Sequence, residues 1–125
     1  MMMVEMKTVR TIPVRCGRPH NEGEYEEEAE VPAFLLGKYS YVLRAEGNSM
    51  EPTIPAGSLL IVEGGGAYQH NSLVVVQMSE GIMVKRYDTV SATLVSDNPL
   101  YPSLAFEADD DVKIIAVVRH ILISV

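Results

Sequence analysis

One serine, Ser49, stands between a strand-like run and a segment rich in turn formers. Residues 41–46 precede it as the strand-like run, and residues 53–57 lead through proline and glycine to the apolar run 58–62. A serine held exposed at such a junction, with backbone N–H groups beside it, has the arrangement that acyl transfer needs. Serine is also an ordinary turn residue. Ser49 therefore gains a catalytic role only if the chain supplies a base and a substrate.

Lys85 is the candidate base. It lies in the strand-like run 82–87, where alternation places Met83, Lys85 and Tyr87 on one face. A lysine desolvated among apolar neighbours has a lowered pKa and, once neutral, can take the proton of a serine hydroxyl. A lysine on an edge strand can instead extend its amine to water, so its position alone leaves both interpretations open. The three histidines lie in different segments without metal-ligand spacing, and we predict no metal site.

The elements that must position these residues are mainly β. Short runs rich in Val, Ile, Leu and Tyr are separated by clusters of Gly, Asn, Asp and Pro, as is typical of strands and turns. Pro32 and Gly37 bound a segment that predicts one or two helical turns. Long helical patterns between the strands are missing, so we expect a curved, partly closed β fold. The predicted strands are 40–46, 58–62, 72–78, 82–88, 90–95 and 112–124.

Residues 1–31 differ from the rest of the chain. The sequence Cys16-Gly17-Arg18-Pro19 interrupts regular structure, and the six glutamates of residues 22–30 carry six of the seven net negative charges. Like charges at this density favour an extended, solvated segment. We therefore predict an N-terminal arm over residues 1–31, ordered only where it docks, followed by a β-rich domain over residues 32–125.

Composition argues against several classes of protein. A net charge of -7 without a basic patch disfavours direct sequence-specific DNA binding. No apolar run approaches the roughly 18 residues that span a bilayer, and the N-terminus lacks the layout of a signal peptide. The single cysteine, Cys16, has no intramolecular partner for a disulfide, which agrees with a reducing compartment. We expect a cytoplasmic protein without membrane contact.

Four stretches follow one another in a specific order along the chain. They are Gly-Asn-Ser-Met-Glu-Pro-Thr-Ile at 47–54, Ala-Gly-Ser-Leu-Leu-Ile-Val at 56–62, Val-Lys-Arg at 84–86, and Ser-Asp-Asn-Pro with Tyr-Pro at 96–102. This order resembles the peptidase domain shared by LexA, UmuD and the phage repressors. The resemblance implies that Ser49 is the nucleophile, that Lys85 is the general base, and that the backbone N–H groups of Asn48 and Ser49 form the oxyanion hole. It also implies the β fold of the LexA and signal-peptidase type, and chemistry without a cofactor.

The resemblance further implies that the substrate belongs to the chain itself. Members of this family cut their own chain between a small residue and glycine, and Cys16-Gly17 is such a pair on the predicted arm. Only 16 residues precede Gly17, which we expect to be too few for the DNA-binding domain of LexA-type members. The short arm and the Cys-Gly bond resemble the UmuD branch. One departure is Asn71-Ser72, where many members have Gly-Asp, and we expect it to alter a turn rather than the chemistry.

The UmuD branch implies a role in the SOS response. A RecA–single-stranded DNA filament would promote self-cleavage of a homodimer, within one subunit or between the two. The processed form would then serve a Y-family, UmuC-like polymerase as the accessory subunit in translesion synthesis. Two alternatives keep the same fold: a non-cleaving dimeric polymerase adaptor, and a regulator of the repressor or antirepressor type.

Overall fold

The computed structural model describes residues 11–16, 27–79, 81–105 and 111–123, with side chains from Glu28 onward. The strands of this part of the chain form one sheet, in the order β2-β1-β3-β4-β9-β5-β6-β7-β8, that is not closed into a barrel. The prediction of a mainly β fold is confirmed. In chain order the elements are β1 Thr11–Cys16, β2 Glu27–Pro32, a 3₁₀ helix Ala33–Leu35, β3 Ser40–Arg44, β4 Leu59–Gly64, β5 Leu73–Met78, β6 Gly81–Asp88, β7 Thr93–Val95, β8 Leu104–Ala105 and β9 Lys113–Leu122.

The longest strand, β9, lies at the centre of the sheet between β4 and β5. Its apolar run, residues 114–118, suits a strand that is covered on both faces. The register shifts once in β4 and once in β5, between Val75 and Val76, and irregularities of this kind bend and twist a sheet. Because successive side chains of a strand point to opposite faces, neighbours in β5 pack into separate clusters: Val75 lies in one, and Val74 and Val76 lie in another.

Two strands come from the segment that we predicted as an arm. In β2, Glu28 and Glu30 are exposed, Ala29 is half-buried and Val31 is buried. This alternation is that of a strand with one face on the core, and the density of glutamates concealed it. The boundary between an arm and a domain at residue 31 stays a prediction.

The turn before β5 shows what the Asn71-Ser72 departure does. Asn71 has φ 67°, and its N–H donates to the carbonyl of Tyr87 at 2.7 Å. This left-handed conformation favours glycine, and asparagine is among the few other residues that adopt it readily. Asparagine at position 71 is therefore compatible with the backbone of this turn, and the effect of the departure from Gly-Asp stays a prediction. Across the described ranges, no helix is long and apolar enough to cross a bilayer.

Candidate active site

Ser49 lies in the loop that connects β3 to β4. Two side chains of this loop, Met50 and Ile54, are 5% and 3% exposed and pack into the core cluster that contains Leu43 and Leu60. The N–H of Ile54 donates to the carbonyl of Met50 at 2.8 Å, which closes one helical turn. Because the core holds both apolar side chains, the loop has a fixed path. Ser49 stays half-buried beside them.

Ser49 also lines a pocket of about 490 Å³. Most of the wall is apolar, and β6 contributes Ile82, Met83 and Val84 to it. β6 pairs with β5 over Gly81–Arg86, whereas it pairs with β7 only over Arg86–Asp88. Among the described strands, the edge at residues 82–84 is therefore open on one side. An open strand edge is a place where an extended peptide can bind through main-chain hydrogen bonds.

Lys85 is buried in β6 and is 6% exposed. Its Nζ donates a hydrogen bond to Oγ of Ser96 at 2.6 Å, and Ser96 is itself 5% exposed. Burial lowers the pKa of the Lys85 amine from its ordinary value, because the charged form loses its hydration. The desolvation that we expected from the sequence is present, and it favours the neutral amine.

A three-residue stretch, Ser96-Asp97-Asn98 (the 96–98 segment), contacts both candidate catalytic residues. Ser96 accepts the hydrogen bond of Lys85. The backbone N–H of Asn98 donates to the carbonyl of Ser49 at 3.0 Å, and its side-chain amide donates to the carbonyl of Asn48 at 3.0 Å. The loop that carries Ser49 and the strand that carries Lys85 are thus held by the same short segment.

Asp97, at the centre of this segment, is bound by a guanidinium and a hydroxyl. Arg86 donates to both carboxylate oxygens at 2.8 Å, and Thr53 Oγ1 donates to Oδ2 at 2.5 Å. The Arg86 hydrogen bonds hold the pKa of Asp97 below its ordinary value, with a smaller contribution from Thr53. The same bonds raise the pKa of Arg86. The carboxylate nearest in sequence to Ser96 is therefore paired with Arg86, and Lys85 keeps a neutral partner.

The backbone N–H groups of Asn48 and Ser49 are the predicted oxyanion hole. In the described part of the chain neither group donates a hydrogen bond, whereas the carbonyl of Asn48 accepts two and that of Ser49 accepts one. Two N–H groups without an acceptor are available to an anion. Their role as an oxyanion hole stays a prediction.

The structure does not bring all the predicted residues together. The described hydrogen bond of the Lys85 amine is to Ser96, and none joins it to Ser49. Only the backbone of Cys16 is described, at the end of β1 opposite Val42 of β3. Gly17 lies outside the described residues. The two strands run in the same direction, and β3 continues into the loop that carries Ser49.

No role was predicted from the sequence for Ser96, Asp97, Asn98 or Arg86. One signal was available, because strand alternation puts Ser96 on the same side as Leu94, which is fully buried. A serine on a core-facing position requires a hydrogen-bond partner. The contacts of the other three residues depend on tertiary structure, and no pattern in the sequence indicates them.

A family model described as Peptidase S24-like matches residues 12–119, a range that includes Ser49 and Lys85. The chain belongs to this family. Membership in the Peptidase S24-like family indicates a serine-peptidase type of activity, with a self-cleaving or regulatory function. A comparison with curated proteins finds no match. Within the described ranges, no group of three or more His, Cys, Asp or Glu side chains could hold a metal ion.

Proposed function

We propose that the chain is a serine peptidase that cuts its own Cys16–Gly17 bond, with Ser49 as the nucleophile and Lys85 as the general base. The observation that supports this most is the buried Lys85 amine, whose partner is the neutral hydroxyl of Ser96. A buried amine without a counter-charge gives up its proton more readily than an exposed one. The neutral amine is the form that can activate a serine hydroxyl.

The proposed reaction has two stages. Neutral Lys85 takes the proton of the Ser49 hydroxyl while Oγ attacks the carbonyl carbon of Cys16, and the N–H groups of Asn48 and Ser49 bind the oxyanion. The Cys16–Gly17 bond then breaks, and Lys85 gives its proton to the Gly17 nitrogen. Water hydrolyses the resulting ester and restores the Ser49 hydroxyl. These steps use no metal or cofactor.

The contact between Lys85 and Ser49 belongs to the complex with the substrate. Catalytic hydrogen bonds are often long or poorly aligned in a free enzyme and become shorter when the substrate binds. The Lys85 side chain has a flexible four-carbon stem, so a small adjustment can bring its amine within reach of the attacking hydroxyl while the amine stays hydrogen-bonded to Ser96.

In this proposal, the residues around Cys16 leave their pairing with β2 and β3 and bind as an added strand along the open edge of β6. Residues 82–84 supply that edge and also line the pocket of Ser49. Main-chain hydrogen bonds would hold the arm, and the apolar pocket would receive side chains next to the scissile bond. The common direction of β1 and β3 supports a path from Cys16 towards the Ser49 end of β3.

Intact-mass measurement of the full-length chain tests the proposal. After incubation with a RecA–single-stranded DNA filament, or at alkaline pH alone, we expect a fragment that begins at Gly17. The Ser49→Ala and Lys85→Ala chains should stay uncut while they melt like the wild type. Lys38→Ala removes an exposed lysine instead and should be cut normally. Cleavage of the folded Ser49→Ala chain would refute the mechanism.

A second candidate is a regulator or polymerase adaptor that is not cut. The observation in its favour is the hydrogen bond of Lys85 to Ser96 instead of Ser49. A folded wild-type chain that stays intact under both conditions would favour this alternative. Capture of a Y-family polymerase or of a repressor by the intact chain would then separate the adaptor from the repressor-type or antirepressor-type regulator.

The SOS role and the partners rest on the resemblance to the UmuD branch. We propose a cytoplasmic homodimer that is activated by the RecA filament and, once cut, associates with a UmuC-like Y-family polymerase. Light scattering on the purified chain measures the oligomeric state. Mixing tagged Ser49→Ala chain with wild type shows whether one subunit cuts another, because the tagged arm is cleaved only in trans. Copurification with the polymerase before and after cleavage tests the last step.

A further inference from the structure

The register of the sheet sets the hydrogen bond between Lys85 and Ser96. β6 and β7 pair with Arg86 opposite Val95, so the next position in the same register sets Lys85 opposite Ser96. Both side chains are buried, and Nζ lies 2.6 Å from Oγ. The contact is therefore a continuation of the strand pairing and not an incidental meeting of two surface side chains.

A hydroxyl suits this place because it is neutral. It can accept a hydrogen bond from the lysine amine in either protonation state. A carboxylate would hold the amine as well, but its negative charge would retain the proton on the lysine. The carboxylate that follows in the sequence, Asp97, is occupied by Arg86 and Thr53. Ser96 thus holds the amine without adding a negative charge that would retain its proton.

The position of Ser96 is fixed relative to the nucleophile loop. Two residues further on, Asn98 binds the carbonyls of Asn48 and Ser49 at 3.0 Å each. The separation between Ser96 and Asn98 is set by covalent geometry. The 96–98 segment therefore anchors the amine at one end and the nucleophile loop at the other.

We propose that Ser96 is a positioning residue for self-cleavage, whose hydroxyl holds the Lys85 amine in the conformation from which it exchanges a proton with Ser49. The inference rests on the proposed function, because Ser96 acts only through Lys85. A lysine side chain has many rotamers. Without an anchor at its end, the amine spends less time where it can reach the nucleophile, and small errors of placement cost large factors in rate.

The test is the self-cleavage rate of the full-length chain, followed by intact mass from pH 7 to pH 10. We expect Ser96→Ala to be slower by about 10- to 100-fold throughout this range. Ser96→Thr keeps a hydroxyl and should recover most of the rate. Ser96→Asp should be slow at neutral pH and recover towards alkaline pH, with the midpoint of its profile raised by about one unit or more. The raised midpoint would show that the side chain at position 96 acts on the proton of the Lys85 amine in the chain that cleaves itself.

Ser58→Ala is the matched control. Ser58 is 3% exposed, and its hydroxyl donates to the carbonyl of Pro55 at 2.6 Å, away from Lys85. Its loss should lower the melting temperature and leave the cleavage rate of the folded chain unchanged. If Ser58→Ala slows cleavage as much as Ser96→Ala does, the effect is a general one of lost packing and the inference is wrong.

Two further outcomes separate the inference from the proposed function. If Ser96→Ala cleaves at the wild-type rate at every pH, or Ser96→Asp keeps the wild-type midpoint, the inference fails and the proposed function stands. If the folded wild-type chain stays intact, the proposed function fails and the inference fails with it. Should Ser96→Ala not fold, the comparison of Ser96→Thr with Ser96→Asp decides, since both keep a polar group at the position.

Discussion

Raising the pH should accelerate self-cleavage, because the reaction needs the neutral form of the Lys85 amine. Burial lowers the pKa of that amine from 10.5, and its hydrogen-bond partner, Ser96, carries no charge that would oppose the shift. Below the pKa, the neutral fraction of an amine rises about tenfold for each pH unit. Between pH 7 and pH 9 the rate should therefore rise by roughly 10- to 100-fold and level off at the pKa of Lys85 in the folded chain.

The increase should come from the lysine and not from unfolding. The folded chain binds the Lys85 proton less tightly than the unfolded chain does, since the pKa is lowered by burial. Between the folded and the unfolded pKa, the unfolded chain holds more protons, so the contribution of Lys85 to the free energy of unfolding rises with pH. Below the folded pKa, where the rate rises, the contribution of Lys85 to stability hardly changes, and above the folded pKa that contribution increases while the rate stays level. Titration of Lys85 therefore gives no cause for unfolding in either range.

The assay has two independent readouts. Intact mass gives the first-order rate at each pH, and a plot of its logarithm should rise with a slope near one before it levels off. Titration of the Lys85 side chain by NMR in the uncut Ser49→Ala chain should give the same midpoint, below 10.5. A rate that does not depend on pH, or that levels off only at or above 10.5, would show that a desolvated Lys85 is not the base.

The remaining predictions concern the segments that hold the site. Met50→Ala truncates a side chain that is 5% exposed and should lower the free energy of unfolding by about 2–5 kcal/mol, as measured in urea. Asp97→Asn weakens the paired hydrogen bonds with Arg86 and should cost about 1–3 kcal/mol at neutral pH. Because the folded pKa of Asp97 is lowered from 3.8, its stabilisation is complete above that value and is lost as the pH falls through the folded pKa. The melting temperature of Asp97→Asn should therefore fall less in acid than that of the wild type. Asn98→Ala removes the hydrogen bond from the side-chain amide to the carbonyl of Asn48. This change should slow cleavage about tenfold, with little change in melting temperature.

The strands of the main sheet could be predicted because their side chains alternate in a simple way. The predicted runs at 40–46, 58–62, 72–78 and 82–88 correspond to β3, β4, β5 and β6, with ends that differ by a few residues. β2 escaped prediction because an exposed face made of glutamates also looks like a solvated tail. β8 escaped because two residues are too few to show a period.

In the candidate site, the residue types and their order could be predicted from the sequence, whereas the contacts between them could not. Ser49 and Lys85 could be singled out because their side chains have the chemistry of a nucleophile and a base, and because the order of motifs resembles a peptidase family. The backbone hydrogen bond from Asn98 to Ser49 joins residues that are far apart in the chain, and they come together only in the folded structure. The neutrality of the lysine's partner could not be predicted, since it depends on the register that sets Ser96 opposite Lys85.

The arrangement of charge around β6 explains how two adjacent basic residues of one strand can have pKa values shifted in opposite directions. Lys85 and Arg86 point to opposite faces of the strand, as successive residues do. Arg86 reaches Asp97, forms a bidentate pair and stays charged. Lys85 reaches Ser96 and is desolvated, and no carboxylate of the described residues is paired with it. Exchange of the two basic residues would leave neither of them neutral, because a guanidinium cannot lose its proton in a protein and a lysine at position 86 would be paired with the Asp97 carboxylate. The strand thus assigns the proton-transfer role to the position whose partner is a hydroxyl.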